Sequence, residues 1–452
     1  MKKMYFLLIL NLFCFTSAQK QDHEQSIDSL MNYFQENNAF SGSILIQKNS
    51  ETVYKGEFNK FENGSHKYRI GSITKIFTAV ITFQLIEEGK LTLDTKLSTF
   101  YPHIKYADVI TIGNLLNHTS GIYDYLEWED YYNQKSSIYT KENILNLVEK
   151  GRAESKPGND SSYSNSNYAL LGFIIEDITK KTYAYNVQSR IADRLGLRNT
   201  YCETTESEYS KRNNSYKFDG ENWSKENNTH PSFTLAAGAI VSTTEDLSKM
   251  MDALFNGNLI SKNSLEQMEK TDAQTAIGFG LFRTPFYQKI GYGHTGRIDE
   301  FRSASVYFPE DHLNITILTN GTSVKLNDIV VGIASKYYNT KYNKPDLASY
   351  QNTYAPAPAI FTGIYKAKLA GLITLGKFKI TQAGKNHLFI SMYTDDKDNE
   401  KESRKAILKR KGENDFYSFE TAAKLQFLLD KKGKVTGLKL IQGSQSISCK
   451  KL

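Results

Sequence analysis

The run from Ile73 to Ile86 is apolar on nearly every face, with Ile76, Phe77, Ala79, Val80, Ile81, Phe83 and Leu85 leaving no polar stripe. A helix of that kind must be covered all round, so it belongs inside a large domain rather than on a surface. Gly89, after Glu87-Glu88, supplies a C-terminal stop. Just ahead of the run stands Arg69-Ile70-Gly71-Ser72-Ile73-Thr74-Lys75. If the helix runs through it, Ser72 and Lys75 share a face, with Cβ atoms roughly 5–6 Å apart. Ser72 is then expected in the first helical turn, among unpaired backbone N–H groups at the positive end of the dipole. A nucleophilic serine needs that setting.

The rest of the chain must supply the cover. At 452 residues there is room for two or three domains. Ile27, Leu30, Met31 and Phe34 have helical spacing; Ser41–Gln47 and Thr52–Phe58 read as two strands. A short helix is expected from Ile110, and longer ones at Lys141–Lys150, Ser166–Lys180, Tyr185–Leu195, Thr244–Phe255 and Ser264–Lys270. Period-two patterning then marks strands at Gly278–Thr284, Gln288–His294, Phe301–Phe308 and Asn314–Thr319, and Lys325–Tyr338 closes the series as a helix. Strands at both ends of the segment and helices between them imply an α/β (α+β) domain over residues 19–340. Its two ends would meet in one antiparallel sheet, flanked by helices and by a helical subdomain. Residues 341–360, with Ala355-Pro356-Ala357-Pro358, read as a linker. Residues 361–452 hold about eight short strands and imply a small all-β barrel or sandwich.

Lys2 and Lys3, an apolar core from Met4 to Phe15 and Thr16-Ser17-Ala18 read as a secretory signal over residues 1–18. Its core is shorter than the roughly 20 residues that span a bilayer, so a retained anchor is disfavoured. The product is expected in the periplasm or outside the cell. Removing Cys14 leaves Cys202 and Cys449, which excludes a disulfide framework and offers no zinc site. The C-terminal part carries 19 Lys and Arg against nine Asp and Glu, while the overall formal charge is only +7. A basic exported domain could meet anionic cell-envelope polymers, although a solvated lysine-rich surface explains the same balance. No nucleic-acid-binding motif occurs, and nucleic acid is not an expected partner. Nothing in the sequence fixes the oligomeric state.

Ser-x-x-Lys alone is weak, since Ser17-Ala18-Gln19-Lys20 matches it too. Tyr-x-Asn occurs at Tyr131, Tyr163 and Tyr337, but only Tyr163-Ser164-Asn165 follows a Pro157-Gly158 turn and opens a helix. His294-Thr295-Gly296 occurs once, at the end of an expected strand.

Together with Leu115-Leu116-Asn117-His118-Thr119-Ser120-Gly121 and Ala236-Ala237-Gly238-Ala239-Ile240-Val241-Ser242-Thr243, these motifs resemble the serine β-lactamase and penicillin-binding-protein superfamily. The match is to its class C β-lactamase-like and D-alanyl-D-alanine carboxypeptidase branch, over residues 40–338. Phe361-Thr362-Gly363-Ile364-Tyr365 and Gly433-Lys434-Val435-Thr436-Gly437-Leu438 make the C-terminal part similar to the lipocalin-like barrel often appended to such hydrolases. The resemblance implies that Ser72 is acylated, that Lys75 and Tyr163 share its proton transfers, and that Asn165 binds the substrate amide. It also implies an oxyanion hole from the backbone N–H groups of Ser72 and Arg297, with His294, Thr295 and Gly296 lining the substrate strand. No cofactor or metal is implied.

Residues two apart on a strand share a face, so Arg297 is expected beside Thr295, where it would suit a substrate carboxylate. The family runs through small residues after this motif, whereas Arg297-Ile298-Asp299-Glu300-Phe301-Arg302 is bulky and charged. His118 is expected to serve a structural turn. The implied activity is that of a D,D-peptidase or amidase on peptidoglycan-type peptides. A β-lactamase or small-ester esterase is the alternative, and a non-catalytic penicillin-recognising sensor is a third reading from another class.

Overall fold

The computed structural model describes residues 24–61, 65–128, 130–347, 354, 356–369, 373–393, 405–419 and 421–452. The expected signal over 1–18, Cys14 with it, and part of the expected linker lie outside these residues.

Helix α1 (residues 24–36) buries Ile27, Leu30, Met31 and Phe34. Strands β1 (Phe40–Lys48) and β2 (Glu51–Phe58) follow as a hairpin. Far along the chain come β3 (Phe282–Phe286), β4 (Lys289–Ile298), β5 (Phe301–Phe308) and β6 (Leu313–Thr322). They join the first two in a sheet ordered β2-β1-β6-β5-β4-β3. The two ends of the domain therefore pair directly, with Ile44 opposite Ile317 in an antiparallel register. Every residue of β6 is buried, as a central strand covered on both faces requires. One face packs on α1 and α6 (Leu326–Tyr337).

The other face carries the larger core, with α2 (Thr74–Glu87) at its centre. Every residue of α2 from Thr74 to Leu85 is buried, as its all-round apolar surface demands. Gly89 ends it in the left-handed conformation at φ +70°. Around it lie α3 (Asn165–Thr179), α4 (Pro231–Gly238) and α5 (Thr244–Phe255), the last capped by Thr243 Oγ1 accepting from the Asp246 N–H at 3.2 Å.

Two local expectations are corrected. Ser72 sits in a 3₁₀ turn, Gly71–Ile73, and α2 begins only at Thr74, because Gly71 takes φ +50° against a neighbouring strand. The strand expected at Gly278–Thr284 begins at Phe282. Gly280 instead makes a turn at φ +78°, so close over α2 that a Cβ there would lie 2.6 Å from the Ala79 Cβ. Helix α4 was not anticipated; its apolar run bends at Leu235 (φ 34°, ψ −123°).

The C-terminal part is a closed barrel: β7 (Gly363–Leu369), β8 (Ile373–Ala383), β9 (His387–Tyr393), β10 (Ala406–Arg410), β11 (Asp415–Ser418), β12 (Ala423–Leu429), β13 (Val435–Gln442) and β14 (Gln445–Lys451). Closure comes from β7 pairing with β14, Tyr365 opposite Lys451. Phe361, Tyr365, Leu388, Leu408, Phe416, Leu425 and Phe427 fill the interior. The barrel docks on the α/β domain through Phe419, which is buried in the core beside α1 and α6. Cys202 and Cys449 are both free and buried.

Candidate active site

The site forms where the 3₁₀ turn before α2 meets β4. Two glycines permit the contact. A Cβ at Gly296 would lie 2.0 Å from the Ile70 carbonyl oxygen, and one at Gly71 would lie 2.8 Å from the Arg297 backbone nitrogen. Ser303 Oγ, on the adjacent β5, donates to the Ile70 carbonyl at 2.7 Å, and the Ile70 N–H donates to the Ile240 carbonyl at 3.0 Å. The backbone leading into Ser72 is thus fixed by partners far away in sequence.

Lys75 is fully buried and spends its three ammonium protons on Ser72 Oγ (3.1 Å), Asn165 Oδ1 (2.8 Å) and the Ala237 carbonyl (2.9 Å). Burial pushes its pKa down to about 7, against the opposing pull of Asp124. Near neutral pH much of it is an unprotonated amine, able to take a proton. Tyr163 OH donates to Ser72 Oγ at 2.8 Å. Burial holds that phenol well above its ordinary pKa, so it stays neutral and acts as a relay rather than as a standing base.

Two imidazoles brace this group. His118 stacks on Tyr163 at 4.4 Å and accepts the Ser164 N–H on Nδ1 at 3.1 Å. Burial lowers its pKa well below the ordinary histidine value, which keeps the ring neutral. It positions the tyrosine without reaching the serine. His294 is only 3% exposed, stacks on Phe282 at 4.2 Å and lies 6.2 Å from the Tyr163 ring. Burial holds its pKa near 3.

Along β4 the alternation is clear: Thr295 is exposed and Arg297 partly so, while His294, Gly296 and Ile298 are buried. Thr295 and Arg297 therefore share the open face. His294 and Gly296 take the buried side of the strand: the His294 ring packs on Phe282 towards Tyr163, and Gly296 allows the close approach to Ile70. Arg297 is paired with Glu300 at 3.8 Å, and Glu300 also holds Arg302 at 2.9 Å.

Behind this edge lies a network of buried charges. Asp299 accepts from Arg69 Nη1 at 2.9 Å, Lys135 Nζ at 3.3 Å, and Thr229 N and Oγ1 at 2.9 and 2.7 Å. Glu203 pairs with Arg69 and Arg212 at 3.2 and 2.6 Å. The bulky segment after Gly296 thus supplies the carboxylate that ties the β4–β5 turn to the residues preceding Ser72.

Two contributors escaped sequence reasoning. Asp124, 6% exposed, accepts the Asn165 Nδ2–H at 2.8 Å and the Leu126 N–H at 3.0 Å. Its only sequence signal is an acid opening a short turn. The Ala237 carbonyl is a backbone group, turned toward Lys75 by the bend at Leu235, and no side-chain pattern announces it. Among the described residues no cluster of His, Cys, Asp and Glu could hold a metal ion.

Comparison with known proteins adds four findings. The Beta-lactamase family model matches residues 27–329. The chain is 28% identical over 364 residues to Protein flp of Staphylococcus aureus (strain MRSA252), covering 74% of this chain and 70% of that protein. It is 26% identical over 280 residues to the Putative penicillin-binding protein PbpX of Bacillus subtilis (strain 168), covering 60% and 69%. Among solved structures, D-amino acid amidase from Ochrobactrum anthropi SV3 complexed with L-phenylalanine superposes with a TM-score of 0.58 at 26% identity, covering 69% of this chain and 99% of that one.

Proposed function

This chain belongs to the Beta-lactamase family, and from that premise we propose that it is an exported serine hydrolase acting through an acyl-enzyme on Ser72, with a D,D-peptidase or amidase activity. The observation that carries the reading is Lys75: a buried amine with a pKa near 7, 3.1 Å from a serine oxygen that a neutral tyrosine also contacts.

Ser72 Oγ attacks the scissile carbonyl, and its proton passes to Lys75 Nζ. The tetrahedral oxyanion faces the backbone N–H groups of Ser72 and Arg297, which the Gly71 contact holds side by side. Collapse breaks the C–N bond. The amine leaves with the Tyr163 proton, which Lys75 replaces. Water then attacks the ester on Ser72, its proton goes to the same pair, and Ser72 Oγ leaves with a proton as the acid is released. Asn165, held by Lys75 and Asp124, has a second amide hydrogen for the substrate's own amide oxygen. Thr295 and Arg297 suit the carboxylate of a peptide C-terminus.

Relatives named as a penicillin-binding protein and a D-amino acid amidase support a peptide or amide substrate over a simple ester. Export rests on the sequence pattern of residues 1–18.

The test is to incubate the protein and its Ser72→Ala form with a penicillin, a D-amino acid amide and a p-nitrophenyl ester, following mass and turnover. Expected are a durable penicilloyl adduct and amide turnover, both absent from Ser72→Ala. Rapid β-lactam turnover would make it a β-lactamase, and ester turnover alone an esterase. Identical behaviour of the two forms would remove Ser72 as the nucleophile.

A further inference from the structure

A cavity of about 460 Å³ lies between the barrel and the α/β domain. Asn38, Phe218, Glu221 and Leu347 line it from one side, Lys385, His387 and Lys409 from the other. Lys409, on β10, is 5% exposed. Its ammonium donates to Ser323 Oγ at 3.1 Å and sits over the rings of Phe218 and Phe419 at 5.2 and 5.7 Å, but no carboxylate among the described residues pairs with it. A buried charge with one hydrogen bond and two donors to spare is costly.

The neighbouring groups are also donors. His387 Nδ1 accepts the Arg410 N–H at 3.3 Å, and burial holds the ring's pKa near 4, so the neutral imidazole carries its hydrogen on Nε2. The Asn38 amide oxygen is taken by Trp223 Nε1 and Lys60 Nζ, leaving its NH₂ group as the uncommitted end. Phe218 and Leu347 supply an apolar wall. Glu221, which accepts the Lys385 N–H, puts one negative charge at the edge, and Asp219 is close enough to act on His387. Those two carboxylates disfavour a multiply charged ligand such as phosphate.

We propose that this interdomain cleft is a binding site for a small organic monoanion, whose carboxylate sits on Lys409 Nζ and whose apolar body lies against Phe218 and Leu347. Both domains contribute, so a bound ligand clamps the barrel to the α/β domain. The site is separate from Ser72 and does not depend on the hydrolase reading.

Benzoate, a carboxylate on an apolar ring, is the probe, titrated calorimetrically into the full-length protein and its variants. Binding with Kd below about 10 mM is expected, weakened at least about tenfold in Lys409→Met by loss of one charge-assisted contact. Arg297→Ala should bind within about twofold of the unmodified protein. Loss in Arg297→Ala with retention in Lys409→Met would place benzoate in the active site and overturn the proposal while leaving the carboxylate-binding hydrolase intact. Absence of binding to the unmodified protein would overturn it as well. Should Lys409→Met not fold, the unmodified protein still decides. Burial lowers Lys409 to about 8, so at pH 8.5 an anion seated on it must draw in a fraction of a proton. That uptake is read by comparing buffers of different ionisation enthalpy, and an uptake that persists unchanged in Lys409→Met rejects the assignment.

Discussion

Asp124 Oδ2 accepts the Asn165 amide N–H at 2.8 Å, on the opposite side of the amide from the oxygen that meets Lys75. The contact fixes which end of Asn165 faces the lysine. It also places a buried carboxylate one side chain away from Lys75, where its negative charge favours the ammonium and opposes the effect of burial.

Asp124→Asn removes the charge but keeps an acceptor for Asn165. Lys75, whose pKa burial lowers to about 7 in the unmodified protein, should then titrate lower still, so the expected rise of kcat/KM with pH moves to lower pH. Asp124→Leu should instead cost turnover at every pH, because Asn165 loses its orientation. A pH–rate profile for the two variants separates these effects, and an unshifted profile in Asp124→Asn would show that the carboxylate does not act on Lys75.

Lys75 also links activity to stability. Its pKa is depressed to about 7 in the folded protein and is near 10.4 in an unfolded chain, so the folded state binds fewer protons between those values. The burial penalty is fully present below about pH 7 and fades as pH rises toward 10.4. Lys75→Met should lower kcat/KM by about 10²–10⁴-fold, the usual worth of a general base. The same variant should unfold at higher urea concentration than the unmodified protein at pH 6, with the gap narrowing at pH 9. A gap that widens with pH would contradict the depressed pKa.

The contrast between β4 and Lys75 shows what the sequence could disclose. Period-two spacing correctly joined Thr295 to Arg297 on the open face, and the same rule puts His294 and Gly296 on the buried one. Ser72, Lys75, Tyr163 and Asn165 were legible as side chains in distinctive local settings, and the fold brings them together. What completes their surroundings was not legible. The Ala237 carbonyl depends on a backbone bend at Leu235, and the partners of Asp299 come from Arg69, Lys135 and Thr229, all more than 65 residues distant in sequence. In the barrel, every strand's side-chain alternation is local, and all eight expected strands occur.

Asp299 is the next test. Its carboxylate is fully buried and answers both Arg69 and Lys135. Asp299→Asn keeps the shape but leaves those cations short of one negative charge, a change that costs about 3–5 kcal/mol at a buried pair. Urea unfolding monitored by fluorescence should show the loss. Turnover should fall as well, because the β4–β5 turn is no longer tied to Arg69. A variant of unchanged stability would mean that Glu203 beside Arg69 and Glu226, 2.9 Å from Lys135, suffice for the two cations.

Gly71 offers the sharpest separation of catalysis from folding. Alanine there must adopt φ +50°, at a cost of about 1 kcal/mol, which a domain of this size withstands. Its methyl group would also lie 2.8 Å from the Arg297 nitrogen, so the strand must retreat from the serine. The two N–H groups would no longer converge on one oxygen. Loss of one such donor lowers kcat by about 10²–10³-fold. Gly71→Ala should therefore fold with a near-normal circular dichroism spectrum and still bind substrate, while acylating about a hundredfold more slowly. Stopped-flow measurement of adduct formation with a chromogenic β-lactam gives that rate directly, and a normal acylation rate would mean that Arg297 contributes no hydrogen bond to the oxyanion.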